Sequence, residues 1–338
     1  MRTIKTVVVV LFVVSVHGIT VAEENRSSTE SIRKSVARAL PYLERDGLSW
    51  MKTKKCVSCH RTSFLVWSHL EARRIGVAID DKKLDDWTTW SLEQMMTKRK
   101  QDGQLVASRN LDGVRQMLLA RKVDPSMVSQ QNEKIYAQFV SLLISGQQKN
   151  GSWKPAGQLP FQKRPKPETT EVSTMWAAIA LNDESPTPEL KATQQKAGNF
   201  INAATARRAK SIKETAKSIE WFAVRLLLEH QQGNEKAVLS SYQKLMKLQN
   251  ADGGWPWLRG GKSDAMATGQ VLYVLSRVGR DDSREAIQRA QNYLLKTQRK
   301  DGSWAVHGTK AKKQDRPRET ANYWGTGWAV IGLARTLN

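Results

Sequence analysis

Gln249-Asn250-Ala251-Asp252-Gly253-Gly254-Trp255 decides the fold of this 338-residue chain, because it recurs. Gln147-Gln148-Lys149-Asn150-Gly151-Ser152-Trp153 and Gln298-Arg299-Lys300-Asp301-Gly302-Ser303-Trp304 repeat it as Q-x-x-x-G-x-W. Each copy follows an apolar helical stretch: Ile135 to Leu143, Val238 to Leu248, and Ala286 to Leu295. Each precedes a loop and a second apolar helix, and these second helices also align: Ser173 to Leu181, Ala267 to Leu275, and Gly325 to Leu333. Repeats of ~45 residues are stacked units that cannot bury their faces alone. The glycine permits a tight turn with positive φ. The tryptophan packs over that turn, and the glutamine ties its side chain to a neighbouring backbone. Gln147, Gln249, Gln298, Trp153, Trp255 and Trp304 are structural on this reading.

Weaker copies extend the pattern. The first has helix Ile32 to Leu43, a turn at Asp46-Gly47-Leu48-Ser49-Trp50, then helix Thr62 to Ile75. The next runs from Leu84 to Lys98, turns at Gln101-Asp102-Gly103, and continues from Leu111 to Leu119. Another pairs Leu190 to Ile201 with Ile212 to Leu228. Strict alternation is absent, while i, i+3, i+4 spacing recurs, as in Trp221, Val224, Arg225 and Leu228. The pattern predicts an all-α chain, an (α/α)6 toroid of six helical hairpins forming a single domain over residues 29–338.

These turns resemble the QW repeats of squalene-hopene and oxidosqualene cyclases and of the related protein-prenyltransferase toroids. The resemblance is strong for the three full repeats and faint before residue 131. It implies a central cavity able to take a polyprenoid, with aromatic residues such as Trp67, Trp176, Tyr273 and Trp328 lining it. In any helical ring such residues also fill the core. The family's acid motif, D-x-D-D-T, would end on Thr174, Thr268 or Thr326, and no copy carries the acid at the required place. Asp264 matches the first aspartate, and Glu171 is the one carboxylate that could stand in as proton donor. Prenyltransferase toroids hold zinc through Asp, Cys and His, and the only two cysteines here belong to another motif.

That motif is Cys56-Val57-Ser58-Cys59-His60. Two thiols three apart with a histidine behind the second form the attachment signature of c-type haem. Cys56 and Cys59 would form thioethers to the porphyrin, and His60 would be the proximal iron ligand. A disulfide between the two cysteines, on a non-catalytic repeat scaffold, is the alternative. His307 and Met266, both in mouth loops of later hairpins, are the candidates for the second axial position; without either, the iron is open to a small ligand. A redox or ligand-binding haem protein is the first functional reading, and a terpenoid-modifying enzyme that keeps the cyclase cavity is the second.

Residues 1–22 read as a secretory signal: Arg2 and Lys5, an apolar run from Val7 to Val16, then Thr20-Val21-Ala22. Export to the periplasm fits a c-type haem, which matures outside the bacterial cytoplasm. The formal net charge is +22. Such a surface favours anionic partners: an acidic redox protein, an anionic ligand, or membrane headgroups in peripheral contact. No nucleic-acid-binding motif is present, so nucleic acid is not an expected target.

Overall fold

The computed structural model describes residues 14–54, 56–57, 60–156, 159–210, 215–312 and 315–337, with side chains of the first helix from residue 28 onward. Residues 1–13 of the expected leader lie outside the described residues. Among the described residues, twelve long helices alternate between two layers. The outer ones are α1 (Val14–Lys54), α3 (Asp81–Met96), α6 (Gln130–Ser145), α8 (Pro188–Ala209), α10 (Glu235–Met246) and α12 (Arg284–Thr297). The inner ones are α2 (Thr62–Arg74), α5 (Leu111–Arg121), α7 (Lys166–Leu181), α9 (Ile219–Gln231), α11 (Ala265–Val278) and α13 (Glu319–Arg335). A single turn, α4 (Val106–Arg109), precedes α5. Consecutive inner helices pack side by side, and α13 returns to pack on α2, which closes the ring. Among the described residues, extended pairing is limited to isolated bridges between loops. The fold is the expected α/α toroid.

Composition explains the two layers. Inner helices are buried on nearly every face: α7 buries everything from Val172 to Leu181, and α11 everything from Ala265 to Leu275. A helix apolar all round belongs in a core. Outer helices bury only a stripe, such as Val238, Tyr242 and Leu245 on α10. Glycines let two inner helices touch through their backbones: a Cβ on Gly269 of α11 would collide with the carbonyl of Trp328 on α13.

The repeated turns fasten each hairpin twice. The indole Nε1 of Trp153, Trp255 and Trp304 donates to the carbonyl of Leu143, Leu245 and Leu294 on the same hairpin's outer helix, at 2.8, 3.1 and 2.9 Å. Each of these tryptophans also donates its backbone N–H to a threonine hydroxyl, Thr174, Thr268 or Thr326, on the inner helix. The glutamine reaches further. Gln147, Gln249 and Gln298 donate to Thr193, Ala286 and Ser35 of the next outer helix, at 2.9 Å each. The turn glycines have φ of +86°, +88° and +83°. At Gly253 an added Cβ would lie 2.5 Å from the carbonyl oxygen of Arg289 on that next helix. The motif therefore joins neighbours, and its third copy binds the last hairpin to the first.

One expected turn is absent. Asp46 to Trp50 is helical, and α1 runs on to Lys54. Gly47 serves a close approach instead: a Cβ there would sit 2.7 Å from the Tyr323 hydroxyl.

Candidate functional site

Outer helices run into inner helices at one end of the ring, here called the mouth; inner helices lead to the next outer helix at the far end. Mouth loops are bonded to each other, as Lys163 N–H donates to Thr309 O at 2.8 Å and Arg259 N–H to Lys217 O at 2.9 Å. The Cys56–His60 segment is the mouth loop of the first hairpin. Cys59 lies outside the described residues. Cys56 is an exposed free thiol. Partial burial of its sulfur raises the thiol pKa, which is opposite to the activated thiolate of a redox pair.

The loop is held from both sides. Trp50, on the unexpected extension of α1, donates Nε1 to Cys56 O at 3.0 Å, and Asn110 Nδ2 donates to Val57 O at 2.6 Å. The Trp50 indole also meets the His60 ring edge-on at 5.7 Å. His60 is 6% exposed. Burial, with the nearby charges of Arg61 and Lys310, pushes its pKa down to about 4. The imidazole is therefore neutral at neutral pH, the form that can bind a metal.

His60 walls a cavity of about 150 Å³ shared by three hairpins. Leu159 and Gln162 come from the third, and Lys310, Arg318 and Trp324 from the sixth. Ring closure thus brings the first and last mouth loops together. Lys310 and Arg318 are partly exposed, so the cavity reaches the surface. Sites for drug-sized molecules measure about 300–1,000 Å³, so a porphyrin would lie across this cavity's opening rather than inside it. The residues present would suit a c-type haem in kind: an exposed thiol, a buried neutral imidazole, apolar residues on the wall, and two cations, Lys310 and Arg318, at the cavity. The N-cap residue of α2, Arg61, makes no side-chain capping bond among the described residues.

Other expected site residues fall elsewhere. His307 is exposed, with Nδ1 3.2 Å from Asp315. Met266 is 1% exposed in the first turn of α11. Neither lines the cavity, and no other histidine or methionine does so among the described residues. Two cations of the mouth loops are internal. Arg61 lies over the Tyr323 ring at 4.5 Å and pairs with Glu319 at 2.6 Å. Arg164 pairs with Glu220 at 2.7 Å. Glu171, the stand-in acid, accepts from Arg208 Nε at 2.7 Å and Trp221 Nε1 at 2.8 Å. Asp264 caps α11 by accepting from Ala267 N–H at 2.9 Å, and burial pushes its carboxyl up to about 6.

The ring axis is filled. Trp328 stacks on Trp176 at 5.7 Å and meets Trp67 at 5.3 Å and Tyr273 at 5.9 Å. A void of about 30 Å³ remains beside them, bordered by Arg115, Arg164 and Glu220. Sequence reasoning missed Trp50, Asn110 and Trp324. Trp50 was readable only as part of a turn, Asn110 reaches the loop from the neighbouring second hairpin, and Trp324 arrives through ring closure.

Residues 210–337 match the squalene-hopene cyclase C-terminal domain family. Among solved structures, a polysaccharide lyase superposes with a TM-score of 0.62 at 9% identity, covering 92% of this chain and 97% of that one. A glycosyl hydrolase of family 88 from Bacteroides vulgatus gives 0.55 at 12% identity, covering 91% and 99%. A type II terpene cyclase from Scytonema, in complex with geranylgeranyl dihydroxybenzoate, gives 0.53 at 11% identity, covering 92% and 99%. At such identities the likeness establishes the fold and leaves function to the site.

Proposed function

We propose that this chain is an exported c-type haem protein on a squalene-cyclase-like toroid, with the haem attached at the mouth and open to a small ligand. The observation that carries the reading is His60: the histidine of the attachment string is buried, neutral and on the wall of a cavity that opens to the surface. Cys56 and Cys59 would hold the group covalently, and His60 would orient it. Trp50 and Asn110 fix the attachment loop, and Lys310 and Arg318 would offset the propionates. When bound, the haem supplies an iron centre able to take a small molecule or an electron. Ligand binding is favoured over pure electron transfer because His307 and Met266 lie off the cavity. A polyprenoid-binding reading is weakened by the packed axis, since Trp176, Tyr273 and Trp328 touch each other where a lipid tail would run.

Visible spectroscopy of protein matured with a c-type assembly system tests this. The reduced protein is expected to bind carbon monoxide with a shift of its main absorption band, and His60→Ala to lose the wild-type spectrum. A carbon-monoxide-insensitive, low-spin spectrum that turns high-spin in His307→Ala would overturn the open-site reading.

A further inference from the structure

We propose that the mouth end of the ring docks on an anionic lipid surface, with Phe161 entering the headgroup layer. The charge of this protein is segregated by the hairpin topology. At the mouth, Lys52, Lys54, Lys98, Lys149, Lys166 and Lys262 are all exposed, and none lies within ion-pair distance of a carboxylate among the described residues. Several carboxylates of that end are turned inward or already engaged, and the exposed Asp252 and Asp301 accept from Ser263 and Ser303 of their own mouth loops. Glu168 is fully buried and accepts from the backbone of Lys217 and Ser218, Glu220 holds Arg164, and Asp112 pairs with Arg115. Asp315 is taken by Lys163 and His307.

Phe161 is the second, independent feature. It is 66% exposed, against 44% for Leu239, the other large apolar residue left in solvent among the described residues. Its exposure is built in. Ala311 N–H donates to Phe161 O at 2.9 Å, and a bridge joins Gln162 to Lys310, so two loops hold the ring outward. Lys163 and the exposed Lys312 flank it. A protein partner's footprint would show an apolar centre depleted of charge. Here cations surround the whole end and one aromatic projects from among them, the pattern of a peripheral lipid contact. No described helix is long and apolar enough to span a bilayer.

Co-sedimentation of the full chain with phosphatidylcholine vesicles, with and without phosphatidylglycerol, tests the proposal. Binding should be at least about tenfold tighter with the anionic lipid and should weaken with salt. Phe161→Ala should lower affinity about tenfold or more, as a buried phenyl ring would predict. Lys52→Glu with Lys262→Glu should weaken it further, and Lys82→Glu at the far end should leave it unchanged. The proposal is overturned by equal binding to both vesicles, by an unaltered Phe161→Ala, or by capture of polyglutamate with no capture of vesicles. A Cys56→Ala/Cys59→Ala variant should bind as the wild type does, so the outcome does not depend on haem.

Discussion

At the far end of the ring, charges meet their opposites. Arg73 reaches Asp81 and Asp124, Arg121 holds Glu184 at 2.6 Å, Lys122 lies 3.3 Å from Asp183, and Arg335 and Arg74 share the buried Glu71. At the mouth, Glu168, Glu220 and Asp112 are held inside the wall, and among the described residues Lys52, Lys54, Lys98, Lys149, Lys166 and Lys262 stand exposed outside ion-pair distance of a carboxylate. The far end is thus built for hairpin-to-hairpin cohesion. The mouth is joined by the Q-x-x-x-G-x-W turns, by loop-to-loop bonds and by the internal pairs Arg61–Glu319 and Arg164–Glu220, and leaves its surface lysines available. The difference separates stability from function within one architecture, since the attachment motif and the exposed phenylalanine both lie at the mouth.

The mouth's dependence on its turns gives the largest expected effects. Trp255→Ala removes a fully buried indole with its hydrogen bond to Leu245; it should destabilise by about 3–5 kcal/mol in urea denaturation. Gly302→Ala would press a methyl into the carbonyl of Arg38 at φ +83° and should lose about 3 kcal/mol. Gly103→Ala is its control: φ is +67° there, but nothing lies within 4 Å of the added carbon, so the loss should be about 1 kcal/mol. Equal losses at the two glycines would break the claim that these turns join neighbouring hairpins.

Acid should act on the interior before either surface. His69, 2% exposed, donates Nδ1–H to Leu65 O at 2.7 Å, and burial pushes its pKa down to about 4. The unfolded imidazole titrates near 6.5. Between those values the unfolded chain binds more protons, so stability is complete above pH 6.5 and falls as pH drops toward 4, by on the order of 3 kcal/mol for such a group. Asp264, raised to about 6, contributes one proton of opposite sign over part of that window. Denaturation at stepped pH should show a slope shallower by about one proton in His69→Leu.

Single charges should then sort by end. Arg335→Ala leaves Glu71 with Arg74 alone and should lose about 2 kcal/mol. Lys262→Ala at the mouth should change stability by under about 0.5 kcal/mol. A comparable loss at Lys262 would mean that the mouth cations are structural.

What was legible follows from what is local. The three turns, their helices and the two-layer ring could be read because a glycine at positive φ and a tryptophan at fixed spacing carry the geometry with them. Asp46-Gly47-Leu48-Ser49-Trp50 has the composition of a turn, and its glycine in fact admits Tyr323 from the last hairpin, a contact some 276 positions away in sequence that no local pattern announces. The burial of Arg61 and Arg164 has no local signal, because their carboxylate partners, Glu319 and Glu220, sit on other hairpins. The filled axis was undecided for the same reason: aromatic residues on inner helices line a cavity or close it according to how near the helices approach, and Gly269 brings α11 against α13.

The central claim is the covalent haem at the mouth, and intact-mass analysis of the chain matured with a c-type assembly system tests it most directly. The account predicts the mass of one haem added to the wild-type protein, retained in His60→Ala, and lost in Cys56→Ala/Cys59→Ala. A wild-type protein that leaves the same system with no added mass would contradict it.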